Sequence, residues 1–322
     1  KSHGKMATLF THPNSHPYDS SLIVADREGN VKEWLLREDK RPRWYKNRVN
    51  AGLHILSPKV LDFCGIEADK VGTAGEDGRI ITVDLDRQIL GPLAGSGSLI
   101  CYDSPEYVRD MGTPERYAAV CQDYGAGRVR ERNLHNKQKA IFLDRDGVIN
   151  KHVGFLCNID DFELLPGVAQ AVRKMNASGY LVIVVTNQPV IARGEVTVQE
   201  LEQIHNKMET LLGEEGAYVD AIYYCPHHPD KGYEGEIPEL KIDCECRKPK
   251  PGMLLRAAEE FNIDLSRSWM AGDSEKDIMA GAAAGCRTAF VRTGIDSGAK
   301  AEIQPDVTVN TLTDLAEYVM AD

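Results

Sequence analysis

Residues 180–187, YLVIVVTN, run apolar without a break until the closing threonine and asparagine. A strand with one wet face alternates apolar and polar residues. An unbroken run needs cover on both faces, the condition of a parallel sheet flanked by helices. The surrounding pattern agrees: KAIFLD (139–144), DAIYYC (220–225), SWMAGD (268–273) and CRTAFVR (286–292) read as further strands. PGVAQAVRKMNASG (166–179) puts Pro166 at a helix start, Val168, Ala171, Val172 and Met175 on one stripe, and Gly179 at the stop. TVQELEQIHNKMETLLG (197–213) opens with Thr197 and Glu200 at capping-box spacing. Further helices are expected at about 251–262, 274–284 and 312–320. Strands alternating with helices predict an α/β fold with helices on both faces of a parallel sheet.

Sites in such sheets gather at the carboxyl ends of the strands. Three predicted strands end there in polar residues: Asp144, Thr186 with Asn187, and Asp273. A lone DxDG is usually a surface turn. Here IFLDRDG follows an apolar strand, and VVTNQ, CRKPKPG and AGDSEKD come after it in that order. Phosphoryl transfer needs a nucleophile, a proton donor for the leaving oxygen, a cation, and donors for the equatorial oxygens. A turn at Arg145 would aim both carboxylates into one pocket, Asp144 as nucleophile and Asp146 as acid and base. Asp144, Asp273 and the backbone carbonyl of Asp146 offer the hard oxygens that Mg²⁺ takes. Thr186 and Asn187 offer donors to phosphate, and Lys248 a point charge. Asp273 also reads as a helix cap, a role compatible with a ligand's.

These four segments resemble the four motifs of the haloacid-dehalogenase (HAD) phosphatase superfamily, in order and spacing, across residues 139–322. The resemblance implies a HAD-like Rossmannoid sheet, with Asp144 as nucleophile, Asp146 as acid/base and Thr186 as phosphate ligand. It implies Lys248 as charge stabiliser and Asp273 as metal ligand. Lys250 is the alternative lysine, and Asp277 is expected to support the metal shell or Lys248 from outside.

CPHHPDKGYEGEIPELKIDCEC (225–246) carries C-x-H and C-x-C pairs. Cys225, His227, Cys244 and Cys246 make a closed S₃N set suited to structural, tetrahedral Zn²⁺, with His228 the competing histidine. The polar segment between the pairs cannot pack by itself, so a metal would account for its order. Together, DRDGVIN, VVTNQ, IARG, YYCPHHP and CECRKPKPGM resemble the D-glycero-D-manno-heptose 1,7-bisphosphate phosphatases, whose zinc loop partly replaces a cap domain. By that resemblance Arg247 grips the phosphate distal to the reaction. The segment His152, Gly154 and Phe155, with Gln188, lines the sugar side. Arg193 reads as a solvated helix-start arginine. Two departures touch phosphate contacts: NQPV (187–190) stands where NQSG is common, and Ser274 where a lysine often follows the last GD. The neighbouring alternatives are histidinol-phosphate phosphatase and a scaffold that only binds sugar phosphates.

Ahead of this region, MATLFTH, SLIVAD, GLHILS and SLICYD read as strands, and SPEYVRDMGTPERYAAV as a loop entering a helix. VNAGLHILSP (49–58) and YDSPEYVRDMGTPERY (102–117) resemble the rear half of sugar-1-phosphate nucleotidyltransferases. That implies sugar contacts at Asn50 and Gly52 and a metal aspartate at Asp110. The family's glycine-rich nucleotide loop does not appear, so no nucleotidyl transfer is expected from this half. The pairing implies consecutive steps toward nucleotide-activated heptose and favours the sugar substrate. The expected organisation is a partial nucleotidyltransferase-like domain at 1–122, a polar linker at 123–138, and the phosphatase at 139–322. The chain opens at Lys1, as though inside a domain.

A formal charge of −11 excludes a global field for nucleic acid or anionic membrane, and no apolar run approaches a membrane span. The eight cysteines, some scattered and some clustered beside histidines, fit a reducing, cytoplasmic setting with one metal site.

Overall fold

A computed structural model describes residues 4–75, 77–294 and 303–321. The chain divides into two compact units. One holds Lys1–Pro42 and Asn47–Ser104; the other holds Arg43–Lys46 and Pro105–Asp322.

The first unit is a mixed five-stranded sheet: β1 (Ala7–His12), β2 (Leu22–Ala25), β3 (Val31–Leu35), β4 (Val49–Leu56) and β5 (Leu99–Asp103), ordered β3-β2-β4-β1-β5. The sequence reading lacks β3. Its VKEWL buries only Val31 and Trp34, and the charged pair between them hides the alternation. Helix α1 (Lys59–Phe63) and the short α2 (Gly91–Leu93) place Val60 and Leu93 against Leu9, Ile23 and Leu99. The Asn50 carboxamide oxygen accepts from Gly52 N–H and meets His54 Nε2 at 3.0 Å. Asp110 belongs to the second unit, where it accepts from Gly112 N–H and pairs with Arg116.

The second unit starts with α3 (Pro114–Gly125) and α4 (Arg128–Glu131). There follow β6 (Ala140–Leu143), α5 (Val168–Ala177), β7 (Leu181–Asn187), α6 (Val198–Glu214) and β8 (Ala221–Cys225). The chain then forms α7 (Gly252–Glu260), β9 (Trp269–Gly272), α8 (Glu275–Ala284), β10 (Arg287–Val291), β11 (Val307–Val309) and α9 (Leu312–Ala321). The sheet order is β11-β10-β9-β6-β7-β8, with parallel pairing. Strand β11 is too short to announce itself in sequence.

Alternation now has a destination on each side. Ile141 and Leu143 of β6 join Val182 and Val184 of β7 under α5, α6 and α9; Ala140, Phe142, Ile183 and Val185 face α7 and α8. The predicted α5 stripe is buried throughout, though Gly167, at φ +79, is the N-cap and Pro166 only precedes it. The Thr197–Glu200 capping box is formed. From β6 the chain winds to β7 and β8 on one side, then returns to β9 on the other. Asp144 and Asp273 therefore flank the point where strand order reverses, and Asp144 N–H donates to Ala271 O at 2.9 Å. Among the described residues no helix is long and apolar enough to cross a membrane.

The expected linker 123–138 is structured and lies inside the second unit, whose boundary falls at Pro105. Asp123 is buried beneath Tyr107, Arg109 and Arg128. Arg132 donates to Asp220 at 3.1 Å, and to Tyr180 O and Tyr218 OH at 3.4 Å. These anchors are polar, so composition disguised them as a solvated tether. Breaking a buried ion pair from one side costs about 3–5 kcal/mol. Arg132→Ala is therefore expected to lower the unfolding free energy of the second unit, read by urea titration, by an amount in that range; a tether would leave it where it was.

Candidate active site

The carboxyl ends of β6, β7 and β9 surround a cavity of about 330 Å³. Asp144, Asp146, Thr186, Asn187, Gln188, Arg247, Lys248 and Asp273 all line it, as do His152, Gly154 and Phe155. The sequence-predicted residues are therefore brought together.

Lys248 is the electrostatic centre. Its ammonium lies 2.9 Å from Asp144 Oδ1 and 2.6 Å from Asp277 Oδ1, and donates to Val185 O at 2.8 Å. Its three N–H donors are thereby used. Burial alone would lower the lysine's pKa, but the two carboxylates outweigh it and push the pKa up to about 12. Lys250 is not a rival: it pairs with Asp243 and Glu245 outside the cavity. Asn187 fixes the lysine's backbone through reciprocal bonds of 3.0 Å, Nδ2 to Lys248 O and Lys248 N to Oδ1.

Asp144, Asp273 and Asp277 bring carboxylate oxygens within 4.8 Å of one another. Asp277 spends Oδ2 on the α8 cap, receiving Ser274 N–H and Oγ at 3.1 and 2.6 Å, so it braces Lys248 from behind. Burial, then Asp144 and Asp277, push Asp273 up to about 8; burial raises Asp144 to about 6 against the pull of Lys248. Such crowding of hard anionic oxygens fits a divalent cation such as Mg²⁺. Glycines make room for Asp273: a Cβ at Gly147 would lie 2.2 Å from its Oδ2, and one at Gly294 only 1.6 Å.

Asp146 is held differently. Arg145 donates to its two oxygens at 2.9 and 2.8 Å, Asn150 Nδ2 at 3.0 Å and Gln188 Nε2 at 2.9 Å. Burial opposes, yet these donors keep its pKa below the usual carboxylate range. Arg145 is fully buried and also meets Gln188 Oε1 at 3.1 Å and His205 Nε2 at 3.3 Å. Burial and that guanidinium lower His205 to about 3, so it faces Arg145 as a neutral acceptor. Gln188 lines the cavity, but its amide is committed to Asp146, Arg145 and the Thr186 hydroxyl oxygen, 2.9 Å away, rather than to a sugar. Sequence reasoning missed Arg145, Asn150 and His205. His205 alone left a signal, sharing the buried face of α6 with Leu201, Ile204, Met208 and Leu212. In NQPV, Val190 packs with Ile191, Val196 and Leu201 while it and Pro189 line the cavity.

Behind Arg247, which donates to His227 O at 3.1 Å, the side chains of Cys225, His227, Cys244 and Cys246 converge. Cys225 Sγ lies 3.5 Å from Cys244 Sγ, Cys244 Sγ 3.3 Å from Cys246 Sγ, and His227 Nδ1 3.3 Å from Cys246 Sγ. These separations are far too long for disulfides. They approach the edges, about 3.7 Å, of a tetrahedron of sulfurs about 2.3 Å from zinc. His228 turns away toward Asp230, so His227 is the histidine that stands beside the three cysteines.

A HAD-hydrolase-like family model matches residues 245–315. The chain is 43% identical over 184 residues to a curated D-glycero-beta-D-manno-heptose-1,7-bisphosphate 7-phosphatase of Haemophilus ducreyi, covering 98% of that protein and 56% of this chain. It is 45% identical to the Salmonella typhi protein of the same name, covering 94% of it and 56% of this chain. Among solved structures it is similar to D,D-heptose 1,7-bisphosphate phosphatase from B. bronchiseptica complexed with magnesium and phosphate. That likeness has 36% identity and a TM-score of 0.50, over 57% of this chain and 99% of that one. Gly294→Ala is expected to displace Asp273 and weaken Mg²⁺ binding at least about tenfold, read by calorimetry; an unchanged affinity would remove Asp273 from the metal set.

Proposed function

This chain belongs to the D-glycero-beta-D-manno-heptose-1,7-bisphosphate 7-phosphatase family, and on that premise we propose that it hydrolyses the 7-phosphate of that sugar bisphosphate. The convergence of Asp144, Lys248, Thr186 and Asp273 on one cavity carries the reading. Asp144 attacks phosphorus while the bond to the sugar oxygen breaks, leaving an aspartyl phosphate and a free hydroxyl. Water then attacks the phosphoryl group and releases inorganic phosphate, restoring Asp144. Lys248 holds the nucleophile in place and faces the transferring charge. Thr186 Oγ1 accepts from Gln188, which leaves its own hydrogen for a phosphate oxygen. Asp146 clamped as a carboxylate suits the base role of the second step. For the acid role of the first it must turn from Arg145 and carry a proton. Asp144, Asp273 and the Asp146 carbonyl would hold Mg²⁺, which when bound would neutralise phosphate charge. Arg247 faces the distal phosphate, and His152, Gly154 and Phe155 the sugar.

Cys225, His227, Cys244 and Cys246 hold structural Zn²⁺, since four protein ligands leave no open position. A cytoplasmic setting is part of this reading, on the cysteines clustered beside His227 rather than paired at disulfide-framework spacings. By resemblance, residues 1–122 are read as a partial sugar-nucleotidyltransferase-like domain with Asn50 and Gly52 at its sugar-contact positions; Asp110, at that family's metal-aspartate position, lies in the second unit.

Phosphate release with Mg²⁺ is expected to be fast from the beta anomer of heptose 1,7-bisphosphate and slow from the alpha anomer and histidinol phosphate. A preference for histidinol phosphate would keep the chemistry and discard the sugar. Asp144→Asn should abolish turnover with the fold intact; normal turnover would sink the nucleophile assignment. Cys244→Ser should lose zinc by metal analysis, and an unchanged zinc content would refute the ligand set.

A further inference from the structure

Arg193 is not solvated. Its guanidinium carbon sits 4.2 Å from the Phe155 ring centroid and 4.4 Å from that of Tyr233, between the two rings. The side chain is 16% exposed, with one terminal nitrogen 2.6 Å from Glu195 Oε1. Its Nε is buried without a hydrogen-bond partner. A planar, weakly hydrated guanidinium suits such a place, because its flat face can stack on an aromatic ring, a geometry a lysine ammonium lacks.

The two rings come from different segments. Phe155 stands on the cavity wall, 52% exposed. Tyr233 lies in the loop between the two halves of the Cys/His set and also carries the buried Lys241 ammonium 4.6 Å over its ring. The backbone below is locked as well. Ile237 N–H donates to Ala192 O at 3.0 Å, and a Cβ on Gly194 would strike Gly235 O at 1.9 Å. The turn 189–194 thus has Pro189 and Val190 in the cavity wall at one end and Arg193 in the stack at the other.

We infer that Arg193 is a positioning residue for substrate: it clasps Phe155 to Tyr233 and so makes one wall of the substrate cavity depend on the packing of the Cys/His loop. Arg193 covers one face of the Phe155 ring. The rest of that exposed ring is held still at the cavity mouth, where the apolar C–H groups of a sugar can lie against it. The substrate part of this inference rests on the heptose bisphosphate reading; the clasp itself does not.

Two readouts separate them. In Arg193→Ala, KM for the heptose bisphosphate should rise about tenfold with kcat nearly kept, while p-nitrophenyl phosphate, which carries no sugar for that wall to position, should show little change. Arg193→Lys should lose as much as alanine, because it keeps the charge without the plane. Phe155→Ala should match, and the Arg193→Ala/Phe155→Ala double variant should be no worse than either single. Independently of any substrate, amide exchange at 152–156 and 232–237 should quicken in both Arg193 variants while zinc content holds. Equal KM changes for both substrates, or full rescue by lysine, would overturn the positioning role. Unchanged exchange would overturn the clasp. Wild-type protein inert toward the bisphosphate but with the exchange response present would remove the substrate assignment and leave the clasp standing.

Discussion

One buried ammonium lets this site exist. Lys248 lies between Asp144 and Asp277 and reaches the β7 backbone behind them. Three carboxylates gathered at the end of two adjacent strands would otherwise repel in a medium that screens poorly. The ammonium offsets two of them. The third, Asp273, is left with a raised pKa, which marks where further positive charge belongs. The arrangement separates duties: Asp277 is consumed in bracing the lysine and capping α8, and Asp144 keeps an oxygen toward the cavity. Removing the lysine would leave Asp144 and Asp277 buried and uncompensated, which is costlier than losing a surface pair.

Asp146, only two residues from Asp144, lives in the opposite electrostatic setting. Asp144 is raised by burial and neighbouring carboxylates; Asp146 is lowered by a buried guanidinium and two amides. Two carboxylates on one turn with pKa values pushed apart are how one site divides nucleophile from acid and base. The divider is Arg145, held against Asp146 and Gln188 and also in contact with His205 of α6.

The Cys/His loop has little apolar matter of its own. Its two halves meet where the four sulfur and nitrogen atoms converge at one end, and aromatic and cationic stacking holds it at the other. Since Arg247 leaves the same segment toward the cavity, the loop is both a wall and a mount.

The parallel sheet was legible because its strands are covered on both faces, which strips them of polar residues, and because helices announce themselves by a 3.6 period and capping residues. The strand-end aspartates and the C-x-H and C-x-C pairs were legible because their spacing is local. What escaped were polar groups with distant partners. Arg132 looked like part of a tether until Asp220 came beside it; Gln188 looked like a sugar contact until Arg145 and Asp146 took its amide; Arg193 looked solvated until two rings closed on it. A charged side chain reads the same in a sequence whether water or a buried partner will receive it. The chain alone therefore determined which segments form strands and helices and which polar residues stand at the strand ends. Tertiary structure decided which lysine faces Asp144, which histidine joins the cysteines, and which carboxylate stays ionised, because each of those choices depends on contacts between groups far apart along the chain.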